Sequence, residues 1–172
     1  MGRDKALLQF HGRPLAAAVA ESVASAAGSA VLIGNPALAA VTGLPVLPDL
    51  FPGEGPLGGI VTALRFTTAD WNLVVACDMP ALTAAFLSVL FQAAEACDPD
   101  VLLPVSPAGR PEPLCAVWNR RALPPLEAAF AAAVRKVTAA LAGLRVVRYR
   151  VTEITPLQNV NTPEDWSGYA AE

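Results

Sequence analysis

The chain has 172 residues, of which 54% are hydrophobic and 16% charged, and its net charge is −3. That length suits a single domain, and that apolar content supports a substantial core and excludes an intrinsically disordered chain. Its only lysines, Lys5 and Lys136, and its net negative balance leave no basic footprint for nucleic acid; no apolar run reaches membrane-spanning length, and the start carries no basic, cleavable leader.

The spacing predicts alternating helices and strands. Residues 14–27, rich in alanine with Pro14 at the start, form a helix. Just before it, Phe10-His11-Gly12-Arg13 reads as a surface turn, and His11 is given no acid–base role. Ser29 to Ile33 is a short strand ending in the turn Gly34-Asn35-Pro36, and residues 44–48 form a second strand whose prolines place it at a sheet edge. A helix follows over 56–66. Residues 72–77, apolar and β-branched, are expected to be a strand buried on both faces of a parallel sheet. Thr83 caps a helix running to about Cys97, and 100–104 and 112–118 are strands. Two further helices are expected, broken by Pro124-Pro125 and again near Arg135. A late strand covers 145–151, and Thr162-Pro163-Glu164-Asp165 opens a last helix. This alternation implies a three-layer α/β/α sandwich with a mostly parallel sheet.

The three cysteines, Cys77, Cys97 and Cys115, are odd in number and lack ligand spacing, so they read as small buried hydrophobes in a reducing cytoplasm. No Ser/His/Asp or Cys/His set points to covalent catalysis.

In open α/β sheets ligands sit beyond the carboxyl ends of the strands. Asn35, Asp49 and Asp78 each follow a predicted strand, so they are expected to converge on one crevice. Asp78, in Ala76-Cys77-Asp78-Met79-Pro80, is a carboxylate held rigidly at the sheet edge and suited to Mg2+, which takes oxygen ligands and travels with a triphosphate. An Asp capping the turn after a strand is the alternative. Lys5, in Met1-Gly2-Arg3-Asp4-Lys5, carries an ammonium suited to phosphate, or is a solvated surface residue. Asn35 and Asp49 are ligand groups or simply turn residues. Gly55, Pro56 and Leu57 open a helix whose N–H groups attract anions, or form a tightly packed loop-to-helix junction. Arg110, ahead of an apolar strand, suits a phosphate or a solvated turn. Asn159 and Asn161 flank Val160 and either bind a ligand or tie down the carboxyl-terminal turn.

Four pieces in this order, Met1-Gly2-Arg3-Asp4-Lys5, Gly55-Pro56-Leu57-Gly58-Gly59, Ala76-Cys77-Asp78-Met79-Pro80 and Asn159-Val160-Asn161-Thr162-Pro163-Glu164-Asp165, resemble the molybdenum cofactor guanylyltransferase family across essentially the whole chain. The resemblance implies a Rossmann-like nucleotidyltransferase that moves GMP from GTP to molybdopterin with release of pyrophosphate. It places the family's phosphate-binding lysine on Lys5, its magnesium-binding aspartate on Asp78, and guanine- and ribose-side residues on Asn35 and Asp49. The loop of Gly55, Pro56 and Leu57 falls near the nucleotide, and Arg110, Asn159 and Asn161 fall at the acceptor. Mg2+ is the implied cofactor, and proteins that deliver and accept the molybdenum cofactor are the implied partners. Cytidylyl or sugar-nucleotidyl transfer, or an inactive binding domain, are the alternatives. The family signature reads roughly L-A-G-G-x-S-x-R-M-G-x-D-K, and only its M-G-R-D-K end is present, so the single domain over 1–172 is expected to be incomplete at its start. The absent strand would be central in the family's sheet, and the stated residues alone are expected to aggregate or to expose dye-binding surface.

Overall fold

A computed structural model describes residues 5–160, 165–166 and 169, with the backbone alone described for Lys5. A short hairpin comes first, joining β1 (Gln9–Phe10) to β2 (Arg13–Pro14). His11 and Gly12 turn it with φ of 48° and 77°, the left-handed pair that matches hairpin twist, as the sequence predicted for a surface turn here. Helix α1 (Leu15–Ala27) stops at Gly28, whose φ of 85° ends the helix while its N–H donates to Ala24. Then follow β3 (Leu32–Gly34), a short α2 (Leu38–Thr42) that the sequence did not announce, and β4 (Val46–Pro48). Strands β3 and β4 pair in parallel, with Gly34 opposite Pro48.

Helix α3 (Pro56–Phe66) has the predicted bounds, with proline in its first turn. Strand β5 (Trp71–Val75) leads to α4 (Ala84–Cys97), and the hydroxyl of Thr83 accepts the Phe86 N–H at 3.2 Å as the expected cap. Strands β6 (Val101–Val105) and β7 (Cys115–Asn119) are buried throughout. Helix α5 (Leu123–Ala131) contains both Pro124 and Pro125 in its first turn. The prolines therefore start this helix rather than break one, because the first-turn N–H groups need no helical acceptor. Helix α6 (Val137–Ala140) and β8 (Val146–Arg150) complete the described elements. The predicted last helix opens at Thr162 to Glu164, outside the described residues, although Asp165 and Trp166 are helical.

The α/β class is as expected, but the sheet is mixed rather than mostly parallel. The four-stranded sheet has the order β5-β7-β6-β8, with β7 antiparallel to both neighbours and β6 parallel to β8. Alternate residues of these strands feed two cores. Leu102, Cys115 and Val117 pack with Leu15 and Val19 of α1 and Leu87 and Leu90 of α4. Val101, Leu103, Ala116 and Trp118 pack with Leu57, Ile60 and Leu64 of α3 and Leu126 of α5. Strand period and helix stripe thus agree on both sides of the sheet. Strand β5 departs from its expectation: all five residues are only half-buried, because among the described residues it pairs on one edge alone. The cysteines also differ from one another. Cys115 is buried, Cys97 is exposed at the end of α4, and Cys77 lies between these extremes. No helix among the described residues is long and apolar enough to cross a membrane.

An ion network ties the start of β6 to β8 and to the loop after β7. Asp100 accepts the Arg121 Nε–H at 2.6 Å and the Arg145 backbone N–H at 2.8 Å, and Arg121 also reaches Asp98 at 3.0 Å. The Arg121 hydrogen bond holds the Asp98 carboxyl below its usual range. Partial burial opposes ionisation of Asp100, yet the Arg145 and Arg121 contacts outweigh it and lower that carboxyl too. Lowered carboxyls stabilise the folded state above about pH 4, and that stabilisation is lost as pH falls through the folded-state values. Arg121→Ala is therefore expected to lower the melting temperature at about pH 7, with the difference from the parent chain shrinking progressively as pH falls below about 4, measured by calorimetry across pH.

Candidate functional site

Gly34 and Pro48 are opposite one another at the ends of β3 and β4, and Asn35 and Asp49 are the next residues along each strand. The Asn35 side-chain oxygen accepts the Ala37 N–H at 3.0 Å, which leaves the amide NH2 as the group able to donate to a ligand. Asp49 is more committed. Its Oδ1 accepts the Phe51 N–H at 2.9 Å and the Thr62 hydroxyl at 3.1 Å, while that hydroxyl accepts the Leu50 N–H at 3.2 Å. Thr62 is fully buried on α3, so the loop after β4 is fastened to the helix through Asp49.

Asp78 is clamped from two directions. The Ala76 N–H donates to Leu114 at 2.7 Å, and the Asp78 carbonyl accepts the Val160 N–H at 2.8 Å. One carboxylate oxygen of Asp78 is withdrawn from solvent. Beside it, the carboxyl-terminal segment is held by Val160, which is buried. The Asn159 side-chain oxygen is buried with no hydrogen-bond partner among the described residues. A buried acceptor without a donor costs about 1–3 kcal/mol, so it marks a place where an incoming donor is rewarded. Asn161 lies outside the described residues.

Asn35 and Asp78 line one cavity of about 840 Å³, together with Pro56 and Gly59 of α3 and Ala6. The backbone of Lys5 immediately precedes Ala6. Asp49 and Arg110 are not among the residues lining this cavity. Gly55 has φ of 84°, and its carbonyl accepts the Gly58 N–H at 3.0 Å to start α3. Pro56 has no N–H to offer, and the Leu57 side chain is fully buried in the core, so contact through Leu57 is limited to its backbone.

Arg110 sits in the loop after β6. Its Nε–H donates to Glu112 at 2.5 Å, and its backbone N–H donates to the Ser106 hydroxyl at 3.1 Å. Glu112 is 7% exposed, so a buried carboxylate orients an exposed guanidinium. Burial, with the Glu112 charge adding to it, pushes the Cys115 thiol up to about 12, which keeps it protonated and inert. Sequence reasoning missed Thr62, and it noted Glu112 beside Arg110 without giving its carboxylate a role. Thr62 carries a signal, a hydroxyl inside the otherwise apolar run Ile60-Val61-Thr62-Ala63-Leu64. Among the described residues no group of three or more His, Cys, Asp or Glu is placed to hold a metal ion. Asp78 offers a cation one carboxylate, the arrangement in which Mg2+ takes its other oxygens from phosphates and water.

A parallel β-pair and a mixed sheet flanked by helices, with polar groups after the strand ends, define an α/β domain. The MobA-like NTP transferase domain family matches residues 1–147, and the chain belongs to that family. It is 33% identical to the molybdenum cofactor guanylyltransferase of Pseudomonas entomophila, over 95% of this chain and 87% of that protein. It is 34% identical to the protein of the same name from Rhodopseudomonas palustris, over 95% of this chain and 83% of the other. The molybdopterin-guanine dinucleotide biosynthesis protein A of Archaeoglobus fulgidus superposes with a TM-score of 0.81 at 28% identity, covering 98% of this chain and 89% of that one.

The α3 junction has a direct test. A Cβ at Gly58 would lie 2.9 Å from the Phe51 Cβ and 3.3 Å from the Phe51 carbonyl oxygen, whereas one at Gly59 meets nothing within 4 Å. Gly58→Ala is expected to destabilise by about 1–3 kcal/mol, and Gly59→Ala to be neutral or stabilising by up to about 1 kcal/mol, in urea unfolding.

Proposed function

We propose that the protein transfers GMP from GTP to molybdopterin and releases pyrophosphate, with the nucleotide held at the carboxyl edge of β3, β4 and β5. The observation that carries this reading is that Asn35 and Asp78, far apart in sequence, line one cavity beside the start of α3. A terminal phosphate oxygen of molybdopterin attacks the α-phosphorus of GTP. The new O–P bond forms as the bond to pyrophosphate breaks, and the electron pair leaves on the pyrophosphate oxygen. Such a displacement relies on positioning and charge neutralisation rather than on a protein nucleophile.

Asp78 holds the divalent cation, which is Mg2+ in this reading and which, when bound, neutralises phosphate charge. Lys5 meets the triphosphate and steadies the charge that develops on the leaving group. The amide NH2 of Asn35 donates to the nucleoside, and the second oxygen of Asp49 accepts from the guanine N1–H and exocyclic amine. The backbone at Gly55 and Leu57 approaches the nucleotide from the start of α3. Arg110, oriented by Glu112, together with Asn159 and Asn161 receives the phosphorylated acceptor. We further read the helices on the two faces of the sheet as the outer layers of an α/β/α sandwich, and the cytoplasm as the compartment, with proteins that supply molybdopterin and accept the product as partners.

The test is pyrophosphate release from GTP with molybdopterin and Mg2+. Asp78→Ala is expected to lower kcat/KM by about 100-fold or more. Unchanged turnover in that variant overturns the assignment, and tighter competition by CTP than by GTP would move the chain to cytidylyl transfer.

A further inference from the structure

The loop between β4 and α3 begins at Asp49 and ends at Gly55, and the Asp49–Thr62 node is not its only fastening. The Phe51 ring lies against the Phe130 ring of α5, with centroids 4.5 Å apart. An arginine covers each ring. The Arg65 guanidinium carbon is 5.3 Å from the Phe51 centroid, and that of Arg135 is 4.1 Å from the Phe130 centroid. Each arginine also donates its Nε–H to a carboxylate across the joint, Arg65 to Glu127 at 2.6 Å and Arg135 to Glu54 at 2.5 Å. Arg135 donates further to the carbonyls of Phe130 at 2.8 Å and Val134 at 3.1 Å. Ala133, with φ of 63°, makes the left-handed turn that brings Arg135 back to the end of α5. An exposed ion pair alone contributes little, because two long side chains must be ordered to form it. Here the ring and the two carbonyls already order Arg135, so its bond to Glu54 forms with little further loss of freedom.

We propose that Arg135 positions the nucleotide loop and screens its charge: through Glu54 it holds residues 50–55 in place, and it neutralises a carboxylate that would otherwise stand unpaired beside the triphosphate. This rests on the reading that the nucleotide meets Asp49, Gly55 and Leu57. Glu54 is the residue before Gly55, where α3 starts. A helix start attracts anions, and an unpaired carboxylate beside it repels the anion that it would receive. Pairing with Arg135 removes that repulsion. The same pair holds the end of the loop, as the Thr62 hydroxyl holds its beginning. A loop ordered beforehand adds no ordering cost when GTP binds. Arg135 acts through Glu54 and is a positioning residue, not a catalytic one.

The test combines titration calorimetry with GTP and Mg2+ and amide hydrogen exchange, on the 172-residue chain and its variants. Arg135→Ala is expected to weaken GTP binding about tenfold, because it uncovers the Glu54 charge as well as loosening the loop. Glu54→Gln loosens the loop but removes the charge, and is expected to weaken binding by about threefold or less. The double variant is expected to bind GTP more tightly than Arg135→Ala alone, a recovery that a merely structural role does not give. The Arg135→Ala deficit is expected to shrink in about 0.5 M salt. Exchange is expected to quicken about fivefold in each variant at the Glu54 and Gly58 amides, which bond to Phe51 and Gly55, while β6 and β7 amides stay protected. If Arg135→Ala loses the β6 and β7 protection, Arg135→Lys and Arg135→Gln replace it. The lysine variant is then expected to bind GTP about threefold tighter than the glutamine one, because it alone keeps the charge. Unchanged GTP affinity in Arg135→Ala, a double variant no tighter than Arg135→Ala, or equal affinity of the lysine and glutamine variants overturns the proposal and leaves the nucleotide reading standing. A parent chain that binds no GTP overturns the nucleotide reading itself, and the proposal with it.

Discussion

The backbone ladder that β7 makes with β5 on one side and β6 on the other decides where the chemistry can sit. All five β7 residues are buried, so their N–H and C=O groups have the neighbouring strands as partners or nothing. The Ala76 N–H bond to Leu114 continues this ladder, and two residues later Asp78 leaves the sheet. The bond from Val160 to the Asp78 carbonyl closes the clamp from the other side. A carboxylate on such a support loses little entropy when a ligand arrives, because its backbone is already immobile.

Two kinds of polar residue line up along the carboxyl edge, and they differ in how much of their bonding is spent on the fold. Asn35 and Asp49 each commit one oxygen to a nearby N–H, the habit of asparagine and aspartate in turns. Asp49 goes further, drawing the buried Thr62 hydroxyl into the same node. Turn formation and ligand binding are thus not rival explanations for these residues. The first oxygen builds the loop, and the second group remains for other work. Gly58 belongs to the same node, since the closeness of Phe51 leaves no room there for a side chain.

Several elements were legible because their signals are local. Pro56 in the first turn of α3, the Thr83 cap and the His11-Gly12 turn depend on a few adjacent residues and their φ preferences. The direction of β7 was not legible. An apolar strand buried on both faces has the same pattern whichever way it runs, and only its partners reveal the antiparallel pairing. Pro124 and Pro125 misled for a related reason: proline ends one helix and begins another equally well. Cys97 was read as buried from its residue type, yet it falls on the exposed side of α4, a matter of helical phase against the core.

Taken alone, the order of residues determined the α/β class, most helix positions, and the placing of Asn35, Asp49 and Asp78 just after strands, because periodicity and strand-end polarity are written in short windows. The tertiary structure alone decided that Asn35 and Asp78 face one cavity while Asp49 is tied back to Thr62. It alone decided that, among the described residues, β3 pairs only with β4 and β5 only with β7. Those outcomes depend on which strand lies beside which, and long-range pairing is set by the packing of the whole domain rather than by any stretch of the chain.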